Sequence, residues 1–341
     1  LLKSGRKIRY SKLLIATGGK PFIPEALEKE LASARKSVFT FTKLEDAYKI
    51  KDFAVSLKTK NKNALIIGGG MIGIKAAGAL KHLGYKVTIV ELSDRLLGAV
   101  FDKDASDIAV KHLRAGGVEV ALSETVSKLT CRGGYVRRIL LKSGKEIPAD
   151  IIIAAIGVVP DLTLVKGTPV KTGRGIIVDK RMKTSVKDVY AAGDVIESLD
   201  TISGENRNMA IWPLAYRQGR VAGRNMAVAD KEYEGGFMMN SVDVLGLPVI
   251  TIGDSASQGE GLEVISEKNT AMDSYKKIIL KDNMIIGAIF IKDIDRAGII
   301  TGLMKDGVDV SSFKNDILGE KFGYIYVPKE YRSQKVAPLE I

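Results

Sequence analysis

The stretch NALIIGGGMIGIKAAGALKHLGYKVTIVEL, residues 63–92, constrains the fold more than any other part of this 341-residue chain. It reads as an apolar strand, a glycine turn, a helix and a second strand that ends in an acid. Asn63 to Ile67 is short and nearly all apolar, as a parallel strand buried on both faces should be. Gly68-Gly69-Gly70-Met71-Ile72-Gly73 then satisfies G-x-G-x-x-G, and each motif glycine has a steric task. Gly68 permits the tight exit from the strand, Gly70 lets a pyrophosphate approach the backbone, and Gly73 lets the helix pack closely on the sheet. The helix predicted over about Met71 to Leu83, stopped by Gly84, offers the free amides of Met71, Ile72 and their neighbours, with its dipole, to phosphates.

Val87 to Val90 is the second strand. Glu91 follows it, eighteen residues after Gly73, near where the fingerprint expects an acid for a ribose 2′-hydroxyl. A carboxylate there repels a 2′-phosphate, so NADH is favoured over NADPH, while Arg95 four residues on pulls the other way. The bland alternative, a glycine-rich turn that binds nothing, has to explain strand, turn, helix, strand and acid in the right order.

Composition removes several classes. No apolar run is long enough for a membrane span, and the basic start LLKSGRKIRY carries no signal peptide. Cys131 is the only cysteine, so no intrachain disulfide forms, which fits a reducing cytoplasmic setting. Two histidines and one cysteine make a metal site of those ligands improbable, and none is predicted. The net charge of +12 is spread through every segment with no basic run among aromatics. It therefore predicts a solvated surface that attracts anionic cofactors, not a nucleic-acid binder. No Ser-His-Asp or Cys-His set points to nucleophilic catalysis.

Two further glycine signals lie far from the first. In YSKLLIATGGKPFIP, residues 10–24, a strand from Leu13 to Ala16 runs into Thr17-Gly18-Gly19 and is stopped by Pro21 and Pro24. In TSVKDVYAAGDVIES, residues 184–198, Val189 to Ala192 is a strand and Gly193-Asp194 follows it. Each alone is an ordinary strand exit. Together with the central turn, the chain resembles the pyridine nucleotide–disulfide oxidoreductase superfamily. It is most similar to the branch of NADH oxidases, rubredoxin reductases and nitrite reductase flavin domains.

The resemblance implies an α/β fold of tandem FAD- and NAD(P)-binding Rossmann-like domains, followed by a C-terminal α+β interface domain. Its expected boundaries are 1–60 (partial FAD domain and connector), 61–156 (NADH domain), 157–234 (second part of the FAD domain) and 235–330 (interface domain, forming a homodimer). AAIGVVPD, residues 154–161, matches the return crossing and puts Gly157 at the NAD site. Ala16, Thr17, Gly18, Gly193 and Asp194 fall to FAD, Asp194 at its ribityl chain. IWPLAYRQGRVAGRNMA, residues 211–227, matches the helix whose N-terminus, at Pro213 and Leu214, points at the flavin ring.

The family's first FAD-type glycine turn, about a hundred residues before ATGG, is absent from this sequence, and with it the region of the redox cysteines. The sequence therefore reads as a piece of a longer protein. FAD is implied for the whole, and its occupancy here depends on that turn. Lys75 stands where many relatives have Glu, which leaves open a plain surface lysine or one that tunes a flavin or meets an acidic partner. Cys131 sits next to a hairpin tip in a β-meander spanning 125–148, away from the cofactor turns. His82 and His112 lie on predicted helices as packing or surface residues.

The remaining elements read as follows. Thr42 is a candidate N-cap, a helix spans Lys103 to Ala115, and a strand spans Asp150 to Ala154. Beyond about 235 come hairpin strands with a turn at Asp282-Asn283, an amphipathic helix ended by Gly307, and a loose end over 328–341. The function expected is hydride transfer from NADH to flavin, with electrons passed to oxygen, a rubredoxin-like electron carrier or another partner. The alternatives are a non-catalytic NAD-binding module and a disulfide reductase whose cysteine lies outside this sequence.

Overall fold

A computed structural model describes residues 4–57 and 62–336. The chain divides into two compact units, one of residues 1–22 with 158–238 and one of residues 23–157 with 239–341.

The first unit is built on strand pairs far apart in sequence. β1 (Leu13–Ile15) pairs in parallel with β13 (Val189–Ala191), and β2 (Gly19–Pro21) pairs antiparallel with β11 (Val158–Pro160). β12 (Ile176–Ile177), β14 (Ile196–Leu199) and β15 (Asn206–Arg207) form a small mixed sheet. Helix α5 (Trp212–Ala227) carries Pro213 in its first turn, where a missing amide costs no hydrogen bond. Ile15, Ile176, Val189, Ala191, Val195, Ile196 and Ala222 fill the core of this unit.

The second unit contains the parallel sheet expected from the central turn. Its order is β3 (Val38–Thr40), β10 (Ile151–Ala154), β4 (Asn63–Ile67), β5 (Lys86–Val90) and β6 (Val118–Ala121), every pair parallel. β4 and β10 are buried almost end to end, which explains their unbroken apolar sequence. α3 (Met71–His82) ends in a Schellman motif. The Tyr85 amide donates to Leu80 O at 3.1 Å and the Gly84 amide to Lys81 O at 2.9 Å, with Gly84 at φ +81°. α4 (Lys103–Ala115) is capped by Asp102, whose carboxylate accepts the Ala105 amide at 3.0 Å. The meander is present as β7 (Val126–Arg132), β8 (Tyr135–Leu141) and β9 (Glu146–Pro148).

Three local expectations need correction. β3 joins the nucleotide-type sheet at its edge, although its stretch of sequence reads as a connector. α2 (Leu44–Ser56) is preceded by Lys43 and not capped by Thr42. The Asp46 carboxylate in its first turn accepts the Thr42 and Lys43 amides at 3.0 and 3.2 Å, while the Thr42 hydroxyl donates to the same oxygen. The end expected to be loose forms helix α7 (Lys329–Val336), and residues 337–341 lie outside the described residues. A short helix absent from the sequence reading, α1 (Glu25–Ala32), precedes β3.

The C-terminal strands form a five-stranded antiparallel sheet in the order β16 (Met239–Val244), β17 (Leu247–Gly253), β20 (Met284–Ile291), β19 (Ser274–Lys281) and β18 (Leu262–Asn269). Asp282 and Asn283 both have positive φ, 50° and 59°, as the two-residue turn between β19 and β20 requires. α6 (Ala297–Lys305) follows, with Gly307 at φ +60° beyond it. This sheet shares a core with α3 and α4: Val242, Val244, Leu247 and Val249 pack in one cluster with Ile74, Ala77, Ala109 and Leu113. The hairpin tip drives Leu245 between the two helices. A Cβ added at Gly78 or Gly116 would stand 3.3 or 3.1 Å from its methyls.

Candidate functional site

The turn after β4 is built by excluding side chains. A Cβ on Gly68, which has φ +106°, would lie 2.4 Å from Ala155 O, and one on Gly73 would lie 2.0 Å from Gly68 O. Neither clash can relax without moving backbone. Gly69, a free position in the fingerprint, is less constrained: its Cβ would fall 2.3 Å from Leu96 Cδ2, a side-chain end that can shift. At Gly70 a Cβ would meet nothing within 4 Å. The one open glycine is thus the one that should face a pyrophosphate. It is also the N-cap of α3, where no side chain caps the amides of Met71, Ile72 and Gly73 and no acid lies in the first turn.

Glu91 is drawn to this turn. Its Oε2 accepts the Gly69 amide at 2.6 Å and its Oε1 the Ser93 amide at 2.8 Å. The carboxylate is therefore oriented from two sides by backbone. Gly157, between β10 and β11, has φ +145° with open space around it.

In the first unit, Ala16-Thr17-Gly18 and Gly193-Asp194 leave the C-terminal ends of the adjacent parallel strands β1 and β13, where ligands of such sheets bind. The Ala192 amide donates to Ile15 O at 3.1 Å, tying the two exits together. The Thr17 hydroxyl donates to Asp161 O at 2.8 Å, and the Asp161 amide returns a bond to Gly18 O at 2.8 Å. Gly193 has φ +84°. Its amide donates at 2.9 Å to Oε1 of Gln218, a buried residue of α5 whose Nε2 donates on to the Ser198 hydroxyl at 3.0 Å.

The Asn208 amide group donates to the carbonyls of Asp194 and Ile196 at 2.7 and 2.8 Å. Gln218 and Asn208 were not legible as site supports, since nothing in their own stretches marks a contact with Gly193-Asp194. The Asp194 carboxylate is half-buried, and among the described residues no hydrogen bond or ion pair reaches it. Burial alone raises its pKa. The N-terminus of α5 is likewise without a side-chain cap or a first-turn acid; Pro213 sits in that turn and the Leu214 side chain is buried in the core.

Other singled-out residues lie elsewhere. Lys75 donates to Asp243 O at 2.8 Å, with Asp243 Oδ1 3.8 Å away, so it is a half-exposed lysine paired with the C-terminal sheet. Cys131 Sγ stands 3.2 Å from the Ser33 hydroxyl at the edge of the meander. His82 Nδ1 and His112 Nε2 contact the carbonyls of Gly78 and Leu245 at 2.8 and 3.0 Å, as packing residues do. Among the described residues no group of three or more His, Cys, Asp or Glu could hold a metal ion, and no helix is long and apolar enough to cross a membrane.

Residues 2–219 match the family model "Pyridine nucleotide-disulphide oxidoreductase", and residues 239–308 match "Rubredoxin NAD+ reductase C-terminal domain". The NADH-dependent phenylglyoxylate dehydrogenase subunit epsilon of Aromatoleum evansii is 31% identical over 92% of this chain and 73% of its own length. The NADH-rubredoxin oxidoreductase of Clostridium acetobutylicum is also 31% identical, over the same 92% and 73% shares. Among solved structures, a NAD-dependent persulfide reductase from A. fulgidus superposes with TM-score 0.78 at 27% identity, over 89% of this chain and 58% of that one. With the fingerprint turn and the paired strand exits in place, these matches establish that the chain belongs to the pyridine nucleotide-disulphide oxidoreductase family, an enzyme family of Rossmann-like fold.

Proposed function

We propose that the chain acts in an FAD-dependent NADH oxidoreductase that delivers electrons to a carrier protein. The observation that carries the nucleotide half is the contrast within one turn: backbone leaves Gly68 and Gly73 no room for a side chain, and Gly70 faces open space at an uncapped helix N-terminus. Gly68, Gly70, Met71, Ile72 and Gly73 bind the pyrophosphate through backbone amides, Glu91 accepts from a ribose hydroxyl, and Gly157 leaves room for the nicotinamide end.

The flavin half rests on Ala16, Thr17, Gly18, Gly193 and Asp194 with the α5 N-terminus at Pro213 and Leu214. A half-buried carboxylate with no partner among the described residues suits a polyol hydroxyl, which would donate to it. The dipole of α5 suits the negative charge of a reduced isoalloxazine ring. When bound, flavin supplies the hydride and one-electron chemistry; the chain binds, orients and sets the charge around it. The relatives named for rubredoxin favour a small electron carrier as acceptor. The C-terminal sheet, within residues 235–330, is the surface for a homodimer in this reading.

Gly70→Val tests the nucleotide half. It fills the open approach without touching the chain's own backbone, so thermal stability should stay near wild type while NADH affinity, read by calorimetry, falls at least about tenfold. Unchanged affinity would remove the pyrophosphate from this turn. Bleaching of bound flavin by NADH without oxygen, on the protein with its flavin, tests the electron route.

A further inference from the structure

The loop after β5 carries a charged pair that the nucleotide reading leaves unused. It folds back over the glycine turn: the Leu97 amide donates to Gly69 O at 3.0 Å, and the Leu96 amide donates to the buried Ser106 hydroxyl at 2.8 Å. Arg95 therefore lies in the same short loop as the Glu91 carboxylate. Its guanidinium is not free. Nε donates to Asp94 Oδ1 at 2.8 Å and Nη2 to Asp94 Oδ2 at 3.3 Å, a two-point clamp between chain neighbours. The pairing holds the Asp94 carboxyl below its usual range and raises Arg95.

Both residues line a cavity of about 380 Å³. Ser93 and Phe101 share its wall with Ala256 and Gln258 from the loop after β17. That loop is anchored by Ser255, whose buried hydroxyl donates to Val100 O at 2.7 Å.

We propose that Asp94 is a specificity-determining residue: by occupying the fork of Arg95 it denies that guanidinium to a 2′-phosphate, so the loop that carries Glu91 admits NADH and rejects NADPH. The inference rests on the nucleotide reading above and deepens it. A guanidinium fork binds carboxylate and phosphate through the same two parallel N–H bonds, so the two compete for one site. A phosphate that displaced Asp94 would then face two freed or nearby carboxylates, Asp94 and Glu91. Replacing Asp94 by Asn removes a negative charge and releases the cation in one step. Asp94 is exposed, its side chain 66% accessible against 33% for Arg95, so replacing it does not endanger the fold.

The experiment is a calorimetric titration of the chain with NADH and with NADPH, for wild type, Asp94→Asn, Asp94→Ser and the double variant Asp94→Asn with Arg95→Gln. Both single variants should tighten NADPH about tenfold relative to NADH. The double variant should return to the wild-type ratio, and added salt should erode the gain. An unchanged ratio in both single variants, or a gain that survives Arg95→Gln, overturns the proposal while the nucleotide reading stands. A wild-type chain that binds neither nucleotide defeats that reading, and this inference with it.

Discussion

The turns at Gly68–Gly73 and at Gly193–Asp194 both leave the end of a parallel strand, yet they are held in different ways. The first is locked by backbone, its own at Gly73 and that of Ala155 at Gly68, with clashes of 2.0 and 2.4 Å awaiting any side chain there. The second has room: a Cβ on Gly193 would meet only the Ala215 methyl, at 3.6 Å, and its positive φ of 84° is what asks for glycine. The first turn therefore excludes side chains by backbone, most of it within about thirty residues of sequence and the rest at Ala155 after β10. The second depends on side chains from outside, Gln218 on α5 and Asn208.

The sharpest way to break this contrast is to add one methyl to each turn. Gly73→Ala should cost about 3 kcal/mol or more, since backbone must move to admit it, whereas Gly193→Ala should cost only about 1–2 kcal/mol of left-handed strain. Equal losses in urea denaturation would erase the distinction.

Next in size is Asp102, a side-chain support of the loop over the first turn, because it caps α4, whose Ser106 holds Leu96. Burial works against its charge. The Ala105 amide, Lys277 at 2.9 Å and the Tyr275 hydroxyl at 2.8 Å outweigh that and keep its pKa low. Asp102→Asn leaves Lys277 buried beside a neutral amide and should cost about 3 kcal/mol at neutral pH. A carboxyl lowered on folding stabilises above its unfolded value and loses that contribution as pH falls through its folded value. The gap between variant and wild type should therefore close below about pH 4, and a gap that does not change with pH would mean the charge is not the cause.

Gln218→Leu probes the second turn's outside support. It strands the Gly193 amide, so about 1–2 kcal/mol of stability and a measurable share of retained flavin should go. If flavin content holds, the second turn is as self-sufficient as the first. Lys75→Ala should do least, under about 0.5 kcal/mol, because its partner Asp243 is exposed and the pair is screened by water.

These differences also decide what could be read in advance. β4, α3, β5 and Glu91 were legible because glycines, apolar period and acid all fall within one short segment. β3 was not: Val38-Phe39-Thr40 is too short to show alternation, and its partner β10 lies far along the chain. Lys276 and Lys277 of β19 are both buried, paired with Asp293 and Asp102 from other elements, and nothing in that strand's own sequence signals it. The clamp on Arg95 was half visible, as an acid beside a base; that its geometry is two-pointed is a property of the fold. Asp194 was recognisable only through resemblance, since a Gly-Asp after a strand is common and its lack of a partner among the described residues depends on everything packed around it.

The plug formed by Leu245 bears on how this polypeptide can be cut and recombined. A biotechnologist wishing to graft the dinucleotide module onto another host would be tempted to stop after the last parallel strand. Doing so would leave a socket between two helices, floored by Gly78 and Gly116, with greasy walls open to water. Such a fragment should self-associate, and the transferable part is the parallel sheet together with the hairpin that corks it.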